Sequence, residues 1–279
     1  MKTILLPTDF SNNSLNAINF AMNVFKEIEC TFYVLNVQKA SSFVSDDLMT
    51  ASPSMNLYQS LIEVSKKSLS NLIQNIESKF KNPKHQFNPI VDYDNFIDSL
   101  NQVCEVNKVD LIVMGTKGAS GLEKVIFGSN TVRVMQRAKT TVLAIPNNYK
   151  FKRFSRVAFL SNYLTEYKKE DLLTFLDLIS SNNSIINVLH VSQGKVLTKD
   201  QEQNITLLDN SFAKFSHTFI DLKGEDVYKE VNDFIKLNEI NLLAMVNRKH
   251  SFFERFLSIQ KVEDFGFNID IPFLVMHKH

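Results

Sequence analysis

The 279 residues carry 31 Lys and Arg against 30 Asp and Glu, a formal net charge of +1, with 44% hydrophobic and 22% charged residues. That balance excludes a global field able to recruit nucleic acid or an anionic membrane, and the hydrophobic share is that of an ordinary globular protein. Cys30 and Cys104 stand far apart in no metal-ligand spacing, no apolar run reaches the roughly 18 residues of a membrane helix, and no signal-peptide layout opens the sequence, so the expectation is a cytoplasmic protein with buried, reduced thiols.

Apolar runs and helical periodicity predict strands over 3–6, 31–37, 86–91, 110–114 and 141–145, with helices over 11–28, 57–80, 95–107 and 129–138 between them. Strands that alternate with helices imply an α/β fold, a parallel sheet covered by helices on both faces. A polar, basic junction over 147–153 follows Pro146, and the series begins again. The second half predicts strands over 156–160, 185–191, 215–221, 242–246 and 273–276, with helices over 166–180 and 226–238. Leu122-Glu123-Lys124-Val125-Ile126 lines up with Phe253-Glu254-Arg255-Phe256-Leu257 at the offset that also sets Met114 on Met245. The repeat is a whole domain, and the expected division is 1–148 and 153–279.

Four of the seven glycines fall between Gly115 and Gly128. The chain reads Leu111-Ile112-Val113-Met114, then Gly115-Thr116-Lys117-Gly118, then residues 119–127, then Gly128-Ser129 before a helical stretch. A strand, a glycine-bearing loop and a helix N-terminus in succession make a phosphate site, because glycine lets the backbone approach an anion closely and the first-turn N–H groups attract negative charge. No Gly-Lys-Ser/Thr closes the loop as in a Walker motif, and the spacing is not G-x-G-x-x-G. In an open parallel sheet the ligand crevice lies beyond the carboxyl ends of the strands where their order reverses. Pro7, Thr8 and Asp9 follow the first strand, Val37 ends the second, and Met114 with the glycine loop ends the fourth.

The glycine spacing, Ile4-Leu5-Leu6-Pro7-Thr8-Asp9 and Val34-Leu35-Asn36-Val37 together resemble the universal stress protein (UspA) family, in its tandem form. The resemblance implies two open five-stranded Rossmann-like domains of the adenine nucleotide alpha hydrolase type, and a regulatory or signalling role in the stress response. It implies ATP, with ADP or AMP as variants and Mg²⁺ as a companion. Asp9 would bond the ribose or adenine and the Val37 backbone would read the adenine edge. Met114 and Gly115 would flank the ribose, and Gly118, Gly128, Ser129 and Asn130 would cradle the phosphates. The family's edge-strand pairing implies an internal pseudo-dimer in which 141–145 meets 273–276, with a further homodimer open.

Other readings stand beside these. Asp9 precedes Ser11 and either caps the following helix or binds the ligand, and Ser129 suits an N-cap with or without phosphate. Lys117 and Lys124 would neutralise phosphate, but Arg255 stands opposite Lys124 in the other half, which favours a general surface role. The segment 38–55 is a lid or a surface excursion. Gly115, Gly118, Gly128 and Ser129 fall opposite Val246, Lys249, Ile259 and Gln260, and Asp9 opposite Asn162, so the second half is expected to be nucleotide-free. No histidine spacing suggests a metal, and no paired carboxylates or Ser-His-Asp pattern supports a dedicated hydrolase. The rivals to nucleotide binding are a nucleotide-free scaffold and a slow ATPase.

Overall fold

The computed structural model describes residues 1–38, 54–116, 128–164, 166–192, 194, 196–247 and 269–277. In chain order the elements of the first half are β1 (Lys2–Pro7), α1 (Asn12–Val24), β2 (Cys30–Val37), α2 (Ser54–Phe80), β3 (His85–Asp92), α3 (Phe96–Val106), β4 (Leu111–Gly115), α4 (Ser129–Arg137) and β5 (Val142–Ile145). Those of the second are β6 (Arg156–Leu160), α5 (Lys169–Ile179), β7 (Ile185–Ser192), α6 (Lys199–Phe212), β8 (Ser216–Lys223), α7 (Val227–Leu237), β9 (Leu242–Asn247) and β10 (Phe273–His277). Helix α6 was not anticipated from the periodicity. Its sequence signal is the capping box Thr198-x-x-Gln201, in which Thr198 Oγ1 accepts from Gln201 N and Gln201 Oε1 accepts from Thr198 N.

All ten strands join one sheet in the order β3-β2-β1-β4-β5-β10-β9-β6-β7-β8. Within each half the strands are parallel, and the halves meet where β5 and β10 pair antiparallel, Phe273 opposite Ala144 and Val275 opposite Val142. The expected internal pairing of 141–145 with 273–276 is therefore present. Each half satisfies the other's central edge, leaving β3 and β8 as outer strands.

Two-residue alternation builds the two faces. Ile4, Leu6, Phe32 and Val34 pack under α1 and α2, and continue through Leu143 and Leu274 to Phe159, Phe175 of α5 and Phe212 of α6. Leu5, Leu35 and Ile112 pack on the opposite face with α3, α4 and α7, through Val142 and Val275 to Leu243. Both core layers thus cross from one half to the other. Truncating a fully buried ring such as Phe159 to alanine is expected to cost about 3–5 kcal/mol. The junction is anchored too: Tyr149, Phe151 and Phe154 surround Phe20 of α1 at ring separations of 5.9, 5.5 and 6.1 Å.

Duplication is visible in backbone detail. The turn after β1 puts Phe10 at φ 61°, and the turn after β6 puts Tyr163 at φ 57°; the residues closing α3 and α7 put Lys108 at 50° and Glu239 at 52°. A left-handed non-glycine residue costs about 1–2 kcal/mol, so these matched exceptions mark equivalent positions.

Candidate functional site

Strand order 3-2-1-4-5 in the first half reverses between β1 and β4, which places the topological switch at their carboxyl ends. Pro7 pairs with Leu35, and Ile4 and Leu5 pair with Leu111 and Ile112, so the ends of β1, β2 and β4 lie side by side. This edge gathers Pro7, Thr8, Asp9, Val37, Met114 and Gly115.

The turn leaving β1 is tightly built. Thr8 is buried; its N–H donates to Leu35 O at 2.8 Å, and its Oγ1 shares a hydrogen bond with Ser14 Oγ and accepts from Phe10 N. Those bonds commit the Thr8 side chain to the fold. Asp9 is exposed, and its Oδ1 accepts from Ser11 N at 3.1 Å and from Ser11 Oγ at 2.6 Å. The N-cap of α1 is Ser11, whose Oγ accepts from Ser14 N, so Asp9 orients the cap and is not itself the cap. Val37 is half-buried at the last ladder position, opposite Asp92, and the neighbouring Asn36 donates from Nδ2 to Thr8 O at 2.8 Å.

Met114 and Gly115 are both buried. A Cβ on Gly115 would stand 2.5 Å from Asn13 Nδ2 and 2.9 Å from the Asn13 carbonyl oxygen. The absence of a side chain at 115 is therefore required by the closeness of α1 to β4, a packing demand that the glycine spacing alone does not reveal. Past Gly115, Thr116 N donates to Ile145 O, and Gly128 N donates to Thr116 O at 2.6 Å, which ties the two ends of the loop together. Gly118, Lys117 and Lys124 lie outside the described residues, as does most of 38–55.

The helix beyond the loop begins one residue earlier than an N-cap at Ser129 requires. Gly128 is the N-cap, at φ −62° and ψ 153°, and Ser129 is the first helical residue. Gly128 has no side chain to bond the first turn, and no acidic residue lies in that turn. Thr131 is buried and turns its Oγ1 away from the cap, donating to Gly115 O at 3.0 Å. Ser129 and Asn130 are exposed at the mouth. The first-turn N–H groups of α4 thus lack a side-chain cap and keep their positive partial charge for an anion. This arrangement fits a phosphate-bearing group.

At the corresponding edge of the second half, several described side chains pack on the turn after β6. Tyr163 stacks on His190 with ring centroids 4.7 Å apart, and His190 Nδ1 bonds Ser161 O at 3.1 Å. From α6, Gln201 Nε2 donates to Asn162 O and Asn204 Nδ2 to Tyr163 O, each at 2.8 Å. At position 246 a buried valine stands where the first half has Gly115. A cavity of about 650 Å³ does occur in this half, but at the opposite edge, lined by Lys152, Arg156, Asn241 and Asp270 among others, and it contains none of the residues gathered above.

Among the described residues no group of three or more His, Cys, Asp or Glu is arranged to hold a metal ion, and no described helix is long and apolar enough to cross a membrane. Burial pushes the thiols of Cys30 and Cys104 up to about 11, which keeps both protonated at neutral pH.

A sequence model described as the Universal stress protein family matches residues 1–146. A universal stress protein of Methanocaldococcus jannaschii is 30% identical over 151 residues, covering 52% of this chain and 81% of the relative. One from Mycobacterium tuberculosis is 25% identical over 150 residues, covering 52% of this chain and 95% of the relative. The solved universal stress protein from Archaeoglobus fulgidus superposes with a TM-score of 0.72 at 16% identity, covering 99% of this chain and 98% of that one, and so shares the fold across both halves.

Proposed function

The chain belongs to the universal stress protein family, and from that premise we propose that its first half alone holds an adenine nucleotide, ATP by preference over ADP or AMP. The observation that carries the reading is the N-terminus of α4, capped only by Gly128 and directed to the switch edge between β1 and β4. Asp9 accepts from the ribose or adenine, and the backbone at Val37 meets the adenine edge. Pro7, Thr8, Met114 and Gly115 form the wall, and Gly118, Gly128, Ser129 and Asn130 surround the phosphates. When bound, the triphosphate supplies the negative charge that the uncapped first turn attracts. Magnesium enters only as the companion of that charge.

In this reading residues 1–148 form the nucleotide domain and 153–279 a degenerate domain that completes an internal pseudo-dimer, with a homodimer as a further level of assembly in the cytoplasm. The output is regulatory: nucleotide occupancy changes the surface around the glycine loop that a partner reads, with the coupling set by differential affinity for the two loop states. Turnover is not part of the reading, and the slow-ATPase alternative is decided by the experiment below. One observation favours the scaffold alternative. Gly115 is demanded by Asn13 whether or not a nucleotide binds.

Heat-denaturing the purified protein and separating the released small molecules decides among them. ATP in the supernatant supports binding, ADP with measurable turnover supports an ATPase, and no nucleotide with no calorimetric signal for ATP, ADP or AMP supports the scaffold.

A further inference from the structure

Helix α4 is bound at both ends, and its far end is held by the other half of the molecule. At the last turn of an α-helix the final four carbonyls have no intrahelical partner. The N–H that would close on Met135 O belongs to Lys139, and it donates instead to Asn101 Oδ1 at 3.2 Å. Met135 O accepts from Asn247 Nδ2 at 2.9 Å and from His277 Nε2 at 3.0 Å. Those two residues face each other at the last step of the β9–β10 ladder. Two donors from two strands thus meet the two lone pairs of one carbonyl, beside Val134 and Met135, which are buried.

We propose that Asn247 and His277 are positioning residues for the nucleotide site, acting through α4: the half without the glycines fixes the axial placement of the helix whose N-terminus faces the phosphates. The inference rests on the nucleotide reading above and adds to it a role for the degenerate half. At nine residues α4 is too short to be stable alone. Its placement is fixed by Gly128 N on Thr116 O and Thr131 Oγ1 on Gly115 O at one end, and at the other by the bonds to the Met135 carbonyl and by Asn101 of α3, whose Nδ2 donates to Arg137 O at 3.3 Å. At the offset that sets Met114 on Met245, Asn247 and His277 correspond to Thr116 and Pro146. By linkage, ATP at the N-terminus and the cap at the C-terminus stabilise the same placement, so each strengthens the other.

The test compares the full wild-type chain with N247A/H277A and with N247A/H277Q, in which glutamine restores an amide donor at position 277. Hydrogen exchange is followed without ATP, and ATP binding by calorimetry. The inference expects amide exchange in α4 to rise about tenfold in N247A/H277A, the scale of a lost buried hydrogen bond. Exchange in the β5–β10 ladder is expected to stay unchanged, ATP affinity to fall several-fold, and N247A/H277Q to recover both effects in part. Unchanged α4 exchange, or loss of protection spread equally over α4 and the ladder with no recovery by H277Q, overturns it. If the wild-type chain binds no ATP, the nucleotide reading fails separately, and the exchange result alone decides whether the second half holds α4.

Discussion

The two halves share the backbone of the turn after their first strand and differ in the described side chains around it. After β1, Thr8 N bonds Leu35 O, Phe10 N bonds Thr8 Oγ1, and Thr8 Oγ1 meets Ser14 Oγ; after β6, Ser161 N bonds Leu189 O, Tyr163 N bonds Ser161 Oγ, and Ser161 Oγ meets Tyr167 OH. The strained turn, often a mark of function, is here retained in a half without the glycines. It therefore belongs to the fold, as the scaffold of the strand-to-helix turn. Among the described residues, the next layer outward differs. The first presents exposed Asp9, Ser129 and Asn130 around a glycine cap, whereas the second lays Gln201 and Asn204 over the turn and stacks Tyr163 on His190.

The largest break in the comparison comes from making position 115 match position 246. Gly115→Val places Cβ against both the Asn13 side chain and its backbone, and is expected to cost about 3 kcal/mol by urea denaturation. Val246→Ala in the other half is expected to cost about 1–2 kcal/mol, since it only removes buried methyl groups. Equal costs would mean that the closeness of α1 and β4 does not distinguish the halves.

A substitution at the mouth separates helix from ligand. Asn130→Asp puts negative charge in the first turn of α4, which stabilises the helix by about 0.3–1 kcal/mol and repels a triphosphate. The expected outcome is a slightly higher melting temperature together with roughly tenfold weaker ATP binding, the equivalent of about 1.4 kcal/mol. Unchanged affinity would place the phosphates elsewhere.

A smaller difference lies at the outer edge of the second half. Burial alone would push His217 down, but Phe215 O accepts from its Nδ1 and Asp209 Oδ1 faces its Nε2 at 3.0 Å, and these hold the imidazolium and raise the value above 6.5. Because the folded value is the higher one, the stabilisation is fully present below pH 6.5 and is lost as pH rises through the folded value. Asp209→Asn should flatten that dependence in melts taken across the interval, and an unaltered profile would show that another group titrates. The smallest effect expected is on the thiols: Cys30 and Cys104, both pushed up by burial, should resist alkylation at pH 7 in the native chain and react on unfolding.

Much of this was legible in the residues because each strand is a short apolar run and each face a two-residue alternation. The positions of Asp9, Val37 and Gly115 at one edge followed from strand ends alone. Helix α6 escaped because its buried residues, Asn204, Leu208 and Phe212, include a polar one, so only the Thr198 and Gln201 pair announced it. Helix α1 stops at Val24 rather than continuing to 28, with Phe25 as its C-cap. The cap at Gly128 displaced Ser129 from the expected role because the helix starts one residue sooner. Asn13 against Gly115, and Met135 against Asn247 and His277, join residues more than a hundred positions apart, which periodicity and local motifs do not reach.

Calorimetric titration of the nucleotide-free full chain with ATP, beside Gly118→Val, tests the asymmetry of the halves most directly. The account predicts one ATP per chain in the wild type and no measurable binding by a folded Gly118→Val chain. Two ATP per chain, or unaltered affinity in the variant, would contradict it.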